Sequence, residues 1–281
     1  LRAQQAKAER RSKLMIAGAT VGVVAIVVIA LVIAALQGGT DVTGQSSTAL
    51  DQATFAKVTS VPAASLDTVG AGASDNPPKT IDAPALTKDG KPRVLYVGAE
   101  YCPYCATERW PLVVALSRFG TWNNLSASFS APAPEVNPNT ATVSFHGATY
   151  SSQYVSFTGY ETSTNKQTNG QWGKLDTLEG EDLALFQKFN APPYVQSSGA
   201  IPWINLGGTS IQAGASYNSA VILNKTQAEI ATALADPTTD IAKGVNGAAN
   251  VLTAQICKST NQQPTAVCTA PGVVAAAAKL Q

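Results

Sequence analysis

Two neighbouring stretches decide the fold: Arg93-Val-Leu-Tyr-Val-Gly98 and, after three intervening residues, Cys102-Pro-Tyr-Cys105. Its first part is a short apolar, β-branched run with a glycine at each boundary, which predicts a buried strand. From Cys102 to Phe119 the apolar residues recur at helical spacing, so we expect a helix here. Pro103 stands at the first helical position, where a residue without an N–H is tolerated, and Pro111 is expected to kink the helix. The pattern predicts an α/β fold in which a Cys-x-x-Cys motif joins a strand to a helix.

The placement of Cys102 and Cys105 at the start of a helix favours redox chemistry. The helix dipole and the free N–H groups of the first turn stabilise a thiolate at Cys102. A thiolate is the nucleophile of thiol–disulfide exchange, so a lower pKa makes Cys102 more reactive near neutral pH. The spacing brings Cys105 within reach of Cys102. We therefore expect Cys102 to be the exposed attacking thiol and Cys105 the more buried resolving thiol.

Two other roles for this pair remain open from the residues alone. The pair could form a purely structural disulfide, or it could supply half of a zinc site. Zinc needs four ligands, and the remaining candidates are Cys257, Cys268 and His146, at spacings that match no common zinc motif. A redox-active pair fits the strand–motif–helix context best.

The strand, the Cys-Pro-Tyr-Cys motif and the helix after it resemble the thioredoxin superfamily, and the Pro-Tyr dipeptide also occurs in glutaredoxins. In that superfamily a cis proline precedes a later strand and faces the cysteine pair. Ile201-Pro202, which opens the apolar run ending at Leu206, matches this element, and the Gly207-Gly208 turn also fits. The resemblance implies a thioredoxin-like fold in which Pro202 belongs to the catalytic site with the two cysteines.

A closer resemblance is to a membrane-anchored family known as "domain of unknown function 929". The residues that carry it are 99–110 and 115–120, and the likeness extends over roughly residues 50–260. This resemblance implies a fold, whereas the name of the family specifies no activity. The chain departs from a minimal thioredoxin in an insertion at about 120–153. It also has no histidine between the two cysteines, so the strongly oxidising behaviour of some superfamily members is not implied.

The N-terminal part of the chain predicts a membrane anchor. Residues 14–36 contain no charge and no proline, and a helix of that length would extend about 34 Å, enough to cross a bilayer core. Residues 1–13 contain five basic residues and one acidic residue, a net charge of +4. The positive-inside rule therefore puts residues 1–13 in the cytoplasm and the rest outside it. A cleaved signal peptide is the alternative, but its apolar core is normally shorter; a buried core helix is a further one.

Charge also bears on the class of partner. The whole chain has a net charge of +1, so the residues after position 13 have a net charge of −3. A mildly acidic folded part argues against nucleic acid as a partner. No cofactor or metal ligand set is predicted.

The residues after the anchor divide into three segments by composition. Residues 37–90 are predicted to be a linker and an N-terminal extension, 91–256 a thioredoxin-like domain, and 257–281 a C-terminal tail. The expected elements are helices at 48–58, 180–189, 226–234 and 240–256, strands within 141–150 and at 154–160 and 200–206, a hairpin return at 209–211, and loops over 62–84 and most of 123–150.

The distal cysteines, Cys257 and Cys268, are expected to form a structural disulfide, because an even number of cysteines outside the membrane suits disulfide bonding. His146 is the one histidine of the chain, and we expect it to be a surface or hydrogen-bonded residue rather than a ligand or base.

Several residues near the motif need separate interpretation. Trp110 is predicted to lie in the core, whereas Tyr104 and Trp203 could line a substrate surface. Glu108 and Arg109 are predicted to lie on a solvated face of the helix; as an alternative, Glu108 could assist proton transfer from Cys105.

Two functions follow from these observations. The first is a membrane-anchored thiol–disulfide oxidoreductase or isomerase that acts on thiols and disulfides of exported proteins, with a membrane redox partner. The second is a non-catalytic accessory subunit that uses a thioredoxin-like fold to dock within a larger membrane complex.

Overall fold

Strand β4 (Lys91–Gly98) lies inside the largest sheet, as its apolar run predicts. The structure is a computed structural model that describes residues 41–280. Within β4, Val94 and Tyr96 contact one hydrophobic cluster, while Leu95 and Val97 contact another on the opposite face. The alternation of a strand sends successive side chains to opposite faces. Both faces of the sheet are therefore covered, which explains why the sequence of β4 shows no polar face.

The elements of this mixed α/β structure follow in chain order. The strands are β1 (Thr48–Ala49), β2 (Lys79–Thr80), β3 (Thr87–Lys88), β4, β5 (Gly120–Asn123), β6 (Ser126–Phe129), β7 (Ala141–Ser144), β8 (Thr149–Ser152), β9 (Ser156–Glu161), β10 (Ser163–Thr168), β11 (Gln171–Lys174), β12 (Trp203–Leu206) and β13 (Ser210–Ala213). The helices are α1 (Gln52–Thr59), α2 (Ala63–Val69), α3 (Pro103–Ser117), α4 (Gly180–Phe189), α5 (Gln227–Ala233), α6 (Asp240–Ser259), α7 (Thr265–Cys268) and α8 (Pro271–Ala276). Of the described residues, 42–167 and 172–280 form one compact unit, and Asp41 and the turn Thr168–Gln171 fall outside it.

The main sheet has six strands in the order β2-β13-β12-β4-β3, with β9 also pairing with β4. Strands β4 and β9 are parallel, with Val94 opposite Phe157 and Gly98 opposite Glu161. Strands β12 and β13 form a hairpin, and β12 is antiparallel to β4. Three smaller sheets contain β1-β6-β7, β5-β8 and β10-β11. The parallel β4–β9 pair requires a crossover, and α3 lies within that crossover.

Helix α3 packs on α6 and is buried along almost its whole length. It therefore has no solvated face, and the prediction that Glu108 and Arg109 point outward is wrong: both side chains are fully buried. A helix with core on several sides can accept charged residues only where each finds partners, because an unpaired buried charge is very unfavourable.

Several predicted elements are confirmed. Helix α4 has the expected bounds, and α5 begins with the expected capping box between Thr226 and Glu229. Helix α6 begins at Asp240 as predicted. The hairpin turn Gly207-Gly208 has positive φ at both glycines, and a Cβ on Gly208 would lie 2.2 Å from the carbonyl oxygen of Pro84.

Other predictions need correction. The expected loop at 62–84 contains helix α2 and strand β2, and strand β2 pairs with β13 at the edge of the sheet. The expected irregular segment at 120–153 contains β5 to β8 and buries Trp122 and Phe145. The C-terminal tail contains α7 and α8. Within residues 41–280 no helix is both long and apolar enough to cross a membrane; the predicted anchor at 14–36 lies outside the described residues.

Candidate active site

Cys102 is the N-cap residue of α3, and Cys105 lies in the first turn of that helix. Pro103 occupies the first helical position, as predicted. The Cys102 N–H donates to the Ala99 carbonyl at 3.2 Å, which closes the turn between β4 and α3. The Cys105 N–H donates to Cys102 Sγ at 3.1 Å. Cys102 thus takes the place of the oxygen that usually caps a helix, and its sulfur faces the free N–H groups of the first turn.

The two thiols are free and differ little in exposure. Cys102 is 4% exposed and Cys105 is 0% exposed. The expected order is correct, but Cys102 is not an exposed residue. Tyr104, which lies between them in the sequence, is 44% exposed.

The environment separates the acidities of the two thiols. Burial acts to raise the pKa of Cys102, but hydrogen bonds from Cys105 and the positive charge of Arg109 outweigh it, and the pKa is lowered. Burial raises the pKa of Cys105 well above its ordinary value, and the neighbouring Cys102 raises it further. Because the thiolate is the reactive form of a cysteine, this difference favours reaction at Cys102 over reaction at Cys105.

Pro202 lies beside the pair. The Ile201–Pro202 peptide bond is cis, and the Cys102 thiol donates to the Ile201 carbonyl at 3.7 Å. The Pro202 carbonyl accepts a hydrogen bond from the Gly214 N–H at 2.8 Å, so the loop before β12 is tied to the residue after β13. The structure therefore brings the Ile201–Pro202 peptide next to Cys102, although about 100 residues separate them in the sequence.

Arg109 forms a fully buried ion pair with Glu161 at the end of β9. Its Nε donates to Glu161 Oε1 at 2.7 Å and its Nη2 to Oε2 at 2.6 Å. Nη2 also donates to the Ala99 carbonyl at 2.8 Å, which is the same carbonyl that accepts from Cys102. The guanidinium therefore lies next to the turn that leads into the Cys-Pro-Tyr-Cys motif.

Glu108 is buried on another side of the same helix. Its carboxylate accepts from Gln212 Nε2 at 2.8 Å, from the Ser216 N–H at 2.8 Å and from Ser216 Oγ at 2.6 Å. Burial raises the pKa of Glu108 to about 7, although these hydrogen bonds oppose the shift. Glu108 holds the loop after β13 against α3.

The aromatic residues near the motif differ in exposure. Trp110 is fully buried and donates to the Ala141 carbonyl, as its predicted core position requires. Trp203 is also fully buried, with its ring 5.5 Å from that of Phe186, so the expectation that Trp203 lines a surface is wrong. Tyr104 does line a groove of about 510 Å³, together with Asp75, Asn137 and residues 214, 215 and 217–219, which follow β13.

The distal cysteines are disulfide-bonded, as predicted, between α6 and α7. Cys257 and Cys268 are thereby removed from the alternative zinc site. His146 contacts Asp176, with Nδ1 2.7 Å from Oδ1, and its side chain is 47% exposed. It is the hydrogen-bonded surface residue that the sequence predicts.

Two residues of the site were not found from the sequence, Tyr96 on β4 and Glu161 on β9. In the sequence, Tyr96 is one member of an apolar run, and Glu161 directly follows the strand predicted at 154–160. The parallel pairing of β4 and β9, which the sequence does not reveal, aligns the C-terminal ends of both strands.

A family model described as "Domain of unknown function (DUF929)" matches residues 78–177. No curated protein and no solved structure matches the chain. The matched span includes both cysteines of the motif, the Arg109–Glu161 pair and Tyr96, and it ends before Pro202. The chain is thus similar to the DUF929 family over the segment that contains the Cys102–Cys105 motif and the buried Arg109–Glu161 ion pair.

Proposed function

We propose that this protein is a thioredoxin-like thiol–disulfide oxidoreductase or isomerase that acts through Cys102 and Cys105. The position of Cys102 carries the proposal. Its sulfur caps α3, accepts the Cys105 N–H at 3.1 Å and lies 3.7 Å from the Ile201 carbonyl. A nucleophilic sulfur at a helix N-terminus, with a second thiol in the same turn, is the arrangement that disulfide exchange requires.

The order of elements around the motif supports a thioredoxin-like core. In chain order these are β4, α3, β9, α4, β12, β13 and α6, and the four strands lie in the order β9-β4-β12-β13. A parallel crossover that bears the cysteines, followed by an antiparallel hairpin entered through a proline, is the order that the resemblance to thioredoxins implies. The strands β5 to β8 then form the insertion between α3 and β9.

The reaction proceeds in two exchanges. The Cys102 thiolate attacks one sulfur of a client disulfide, which forms a mixed disulfide and releases the other client sulfur as a thiolate. Cys105 then attacks Cys102 Sγ, its thiol proton passes to the departing client sulfur, and a Cys102–Cys105 disulfide remains. Two electrons move from the protein to the client. The reverse sequence oxidises a client dithiol, and release of the client after rearrangement isomerises it.

The client class follows from the location that the N-terminal residues predict. The charge-free run at 14–36 and the basic residues before it support a single-pass anchor with the folded part outside the cytoplasm. Clients are then exported proteins, and a membrane protein would restore the redox state of the pair. The groove beside Tyr104 supplies a surface for the client segment around its cysteine.

Trapping of mixed disulfides tests the proposed reaction. In the Cys105→Ala variant the resolving thiol is absent, so Cys102 should remain covalently bound to client proteins, visible as reductant-sensitive bands in non-reducing gels. The matched Cys102→Ser variant should trap none. Equal absence of trapped species in both variants would contradict the proposal.

Labelling of a reporter cysteine tests the proposed location. Gln45 is exposed, so Gln45→Cys in a Cys102→Ser/Cys105→Ser background offers one accessible free thiol. A reagent that cannot cross membranes should label it in intact cells. Labelling that requires lysis would overturn the proposed orientation.

The low exposure of Cys102, 4%, favours a second candidate, a non-catalytic accessory subunit of a membrane complex that uses this fold for docking. The two candidates differ in the reactivity of the native dithiol. An accessory subunit would react with a small disulfide such as 5,5′-dithiobis(2-nitrobenzoate) only after unfolding, whereas the proposed enzyme reacts in its native state.

A further inference from the structure

The Arg109 guanidinium has one nitrogen that nothing in the described part of the chain engages. Nε and Nη2 bind Glu161 and the Ala99 carbonyl, but Nη1 is buried and has no hydrogen-bond partner among residues 41–280. A buried donor without an acceptor costs about 1–3 kcal/mol, and more on a charged group. A polar atom left unpaired at such a cost calls for an explanation in the chemistry of the site.

The Tyr96 hydroxyl is a second buried donor without a partner. Its ring is fully buried, and the hydroxyl lies over Gly98, where an added Cβ would be only 2.2 Å away. Glycine at that position thus leaves room for the hydroxyl at the end of β4, next to the turn that carries Cys102.

The two unpaired donors share a neighbour. Cys105 and Arg109 are four residues apart on α3, so they lie on the same face of the helix. The positive charge of Arg109 acts on Cys102, Cys105 and Tyr96 alike, and Cys105 and Tyr96 also interact with each other. The groups whose charges act on Cys105 are therefore Cys102 at the N-cap, Arg109 on the same helix and Glu161 on β9, and Tyr96 on β4 also interacts with it.

We propose that Arg109 and Tyr96 are positioning residues that hold free donors ready for the negative charge that Cys105 carries when it attacks the mixed disulfide. This inference rests on the proposed function. In the resolving step the Cys105 S–H bond breaks, a bond forms between the two cysteine sulfurs, and the proton and the electron pair pass to the departing client sulfur. The charge on Cys105 develops at a fully buried sulfur, so fixed donors stabilise it strongly.

Arginine suits this role because it stays protonated when buried and therefore acts as a fixed positive charge. Glu161 compensates that charge and fixes the plane of the guanidinium through two hydrogen bonds, which leaves Nη1 as the free group. The Ala99 carbonyl accepts hydrogen bonds from both Arg109 Nη2 and the Cys102 N–H, and it therefore fixes the guanidinium relative to the turn between β4 and α3.

A two-phase reaction with 5,5′-dithiobis(2-nitrobenzoate) tests the proposal. The reduced protein should release one thionitrobenzoate when Cys102 attacks the reagent. It should release a second when Cys105 resolves the mixed disulfide. The absorbance of thionitrobenzoate gives the rate of each phase, which is measured at several pH values. The Arg109→Gln/Glu161→Gln variant removes the ion pair without leaving an unpaired charge. We expect its second phase to slow at least about tenfold at pH 7 and to recover at higher pH, as for a rise of one unit in the pKa of Cys105. The first phase should change less.

Two further variants keep the test informative if that protein does not fold. Tyr96→Phe removes an unpaired buried hydroxyl, so it should preserve folding and still slow the second phase several-fold. Arg118→Gln removes the arginine at the other end of α3, which binds Asn250, and should leave both phases unchanged. A second phase of wild-type rate and pH profile in Tyr96→Phe would overturn the role of Tyr96, and the same result in the double variant would overturn the role of Arg109. Absence of two phases in the wild-type protein would instead overturn the proposed function.

Discussion

The Cys102–Cys105 and Cys257–Cys268 pairs are both buried, yet only the second is a disulfide in the structure. The first pair lies at the start of a helix, above a buried ion pair and beside a proline loop. The second joins two consecutive helices and lies within the large hydrophobic cluster. Burial alone therefore does not distinguish a pair of free thiols from a disulfide bond. The charged and hydrogen-bonding groups around the sulfur distinguish them, because they decide which thiolate is stable.

Alkylation of the reduced motif should give the largest effect. The pKa of Cys102 is lowered and that of Cys105 is raised well above its ordinary value. Because only the thiolate reacts with an alkylating agent, these opposite shifts make Cys102 far more reactive than Cys105 at neutral pH. Iodoacetamide at pH 7 should therefore modify Cys102 and leave Cys105 unmodified, as measured by mass spectrometry of peptides over time.

The distal pair supplies the comparison for that experiment. Cys257 and Cys268 are bonded and should stay unmodified unless the protein is first reduced and unfolded. Equal alkylation rates for Cys102 and Cys105 would contradict the asymmetry and favour a structural role for the motif as well.

Removal of the distal disulfide should give the next largest effect, on stability rather than on exchange. The bond joins residues 11 apart in sequence, and in the chain-entropy model a loop of this size stabilises by about 3 kcal/mol. The Cys257→Ser/Cys268→Ser variant should lose about that much free energy of unfolding, as measured by urea denaturation. The rate of exchange at Cys102 should be unchanged.

A reductant provides the control for the stability experiment. It should lower the stability of the wild-type protein towards that of the double variant and leave the variant itself unaffected. Loss of exchange activity in the folded variant would show that the distal pair takes part in electron transfer, and it would end the structural assignment.

The comparison also explains which parts of the site the sequence could predict. Strand β4, the motif and the start of α3 were predictable because their signals are local: an apolar run, a Cys-Pro pair and a helical spacing. The distal disulfide was predictable from the number and spacing of the cysteines. Pro202 came from the resemblance to thioredoxins, since no local signal connects it to a motif about 100 residues earlier.

The buried charges were not predictable because their partners are distant. Glu108 bonds to Ser216, 108 residues later, and Arg109 bonds to Glu161, 52 residues later. The usual assumption that charged residues mark the solvated face of a helix fails for α3, which is covered on several sides. The same long-range packing buries Trp203 under α4. In the insertion, short strands rich in Ser and Thr have too weak a period to be recognised from sequence.

The pH dependence of stability should give the smallest effect of the three, and it should originate on the motif side of the comparison. The pKa of Glu108 is about 7 in the folded protein, against 4.5 as its reference value. A carboxyl group whose pKa is raised by folding contributes full stability below the unfolded pKa and loses that contribution as pH rises towards the folded pKa. The free energy of unfolding should therefore fall by about 2 kcal/mol between pH 5 and pH 8 on account of Glu108.

The Glu108→Gln variant should remove this decrease, because a neutral amide does not titrate. Its carbonyl can accept the hydrogen bonds from Ser216. If the Gln212 amide turns over, the new side-chain amide can also donate to Gln212 Oε1, which otherwise has no partner. Urea denaturation at pH 5, 6, 7 and 8 measures the difference, with Glu181→Gln on the exposed side of α4 as the matched control. Parallel pH profiles for wild type and Glu108→Gln would show that Glu108 stays ionised in the folded protein, and the loop after β13 would then depend on its charge.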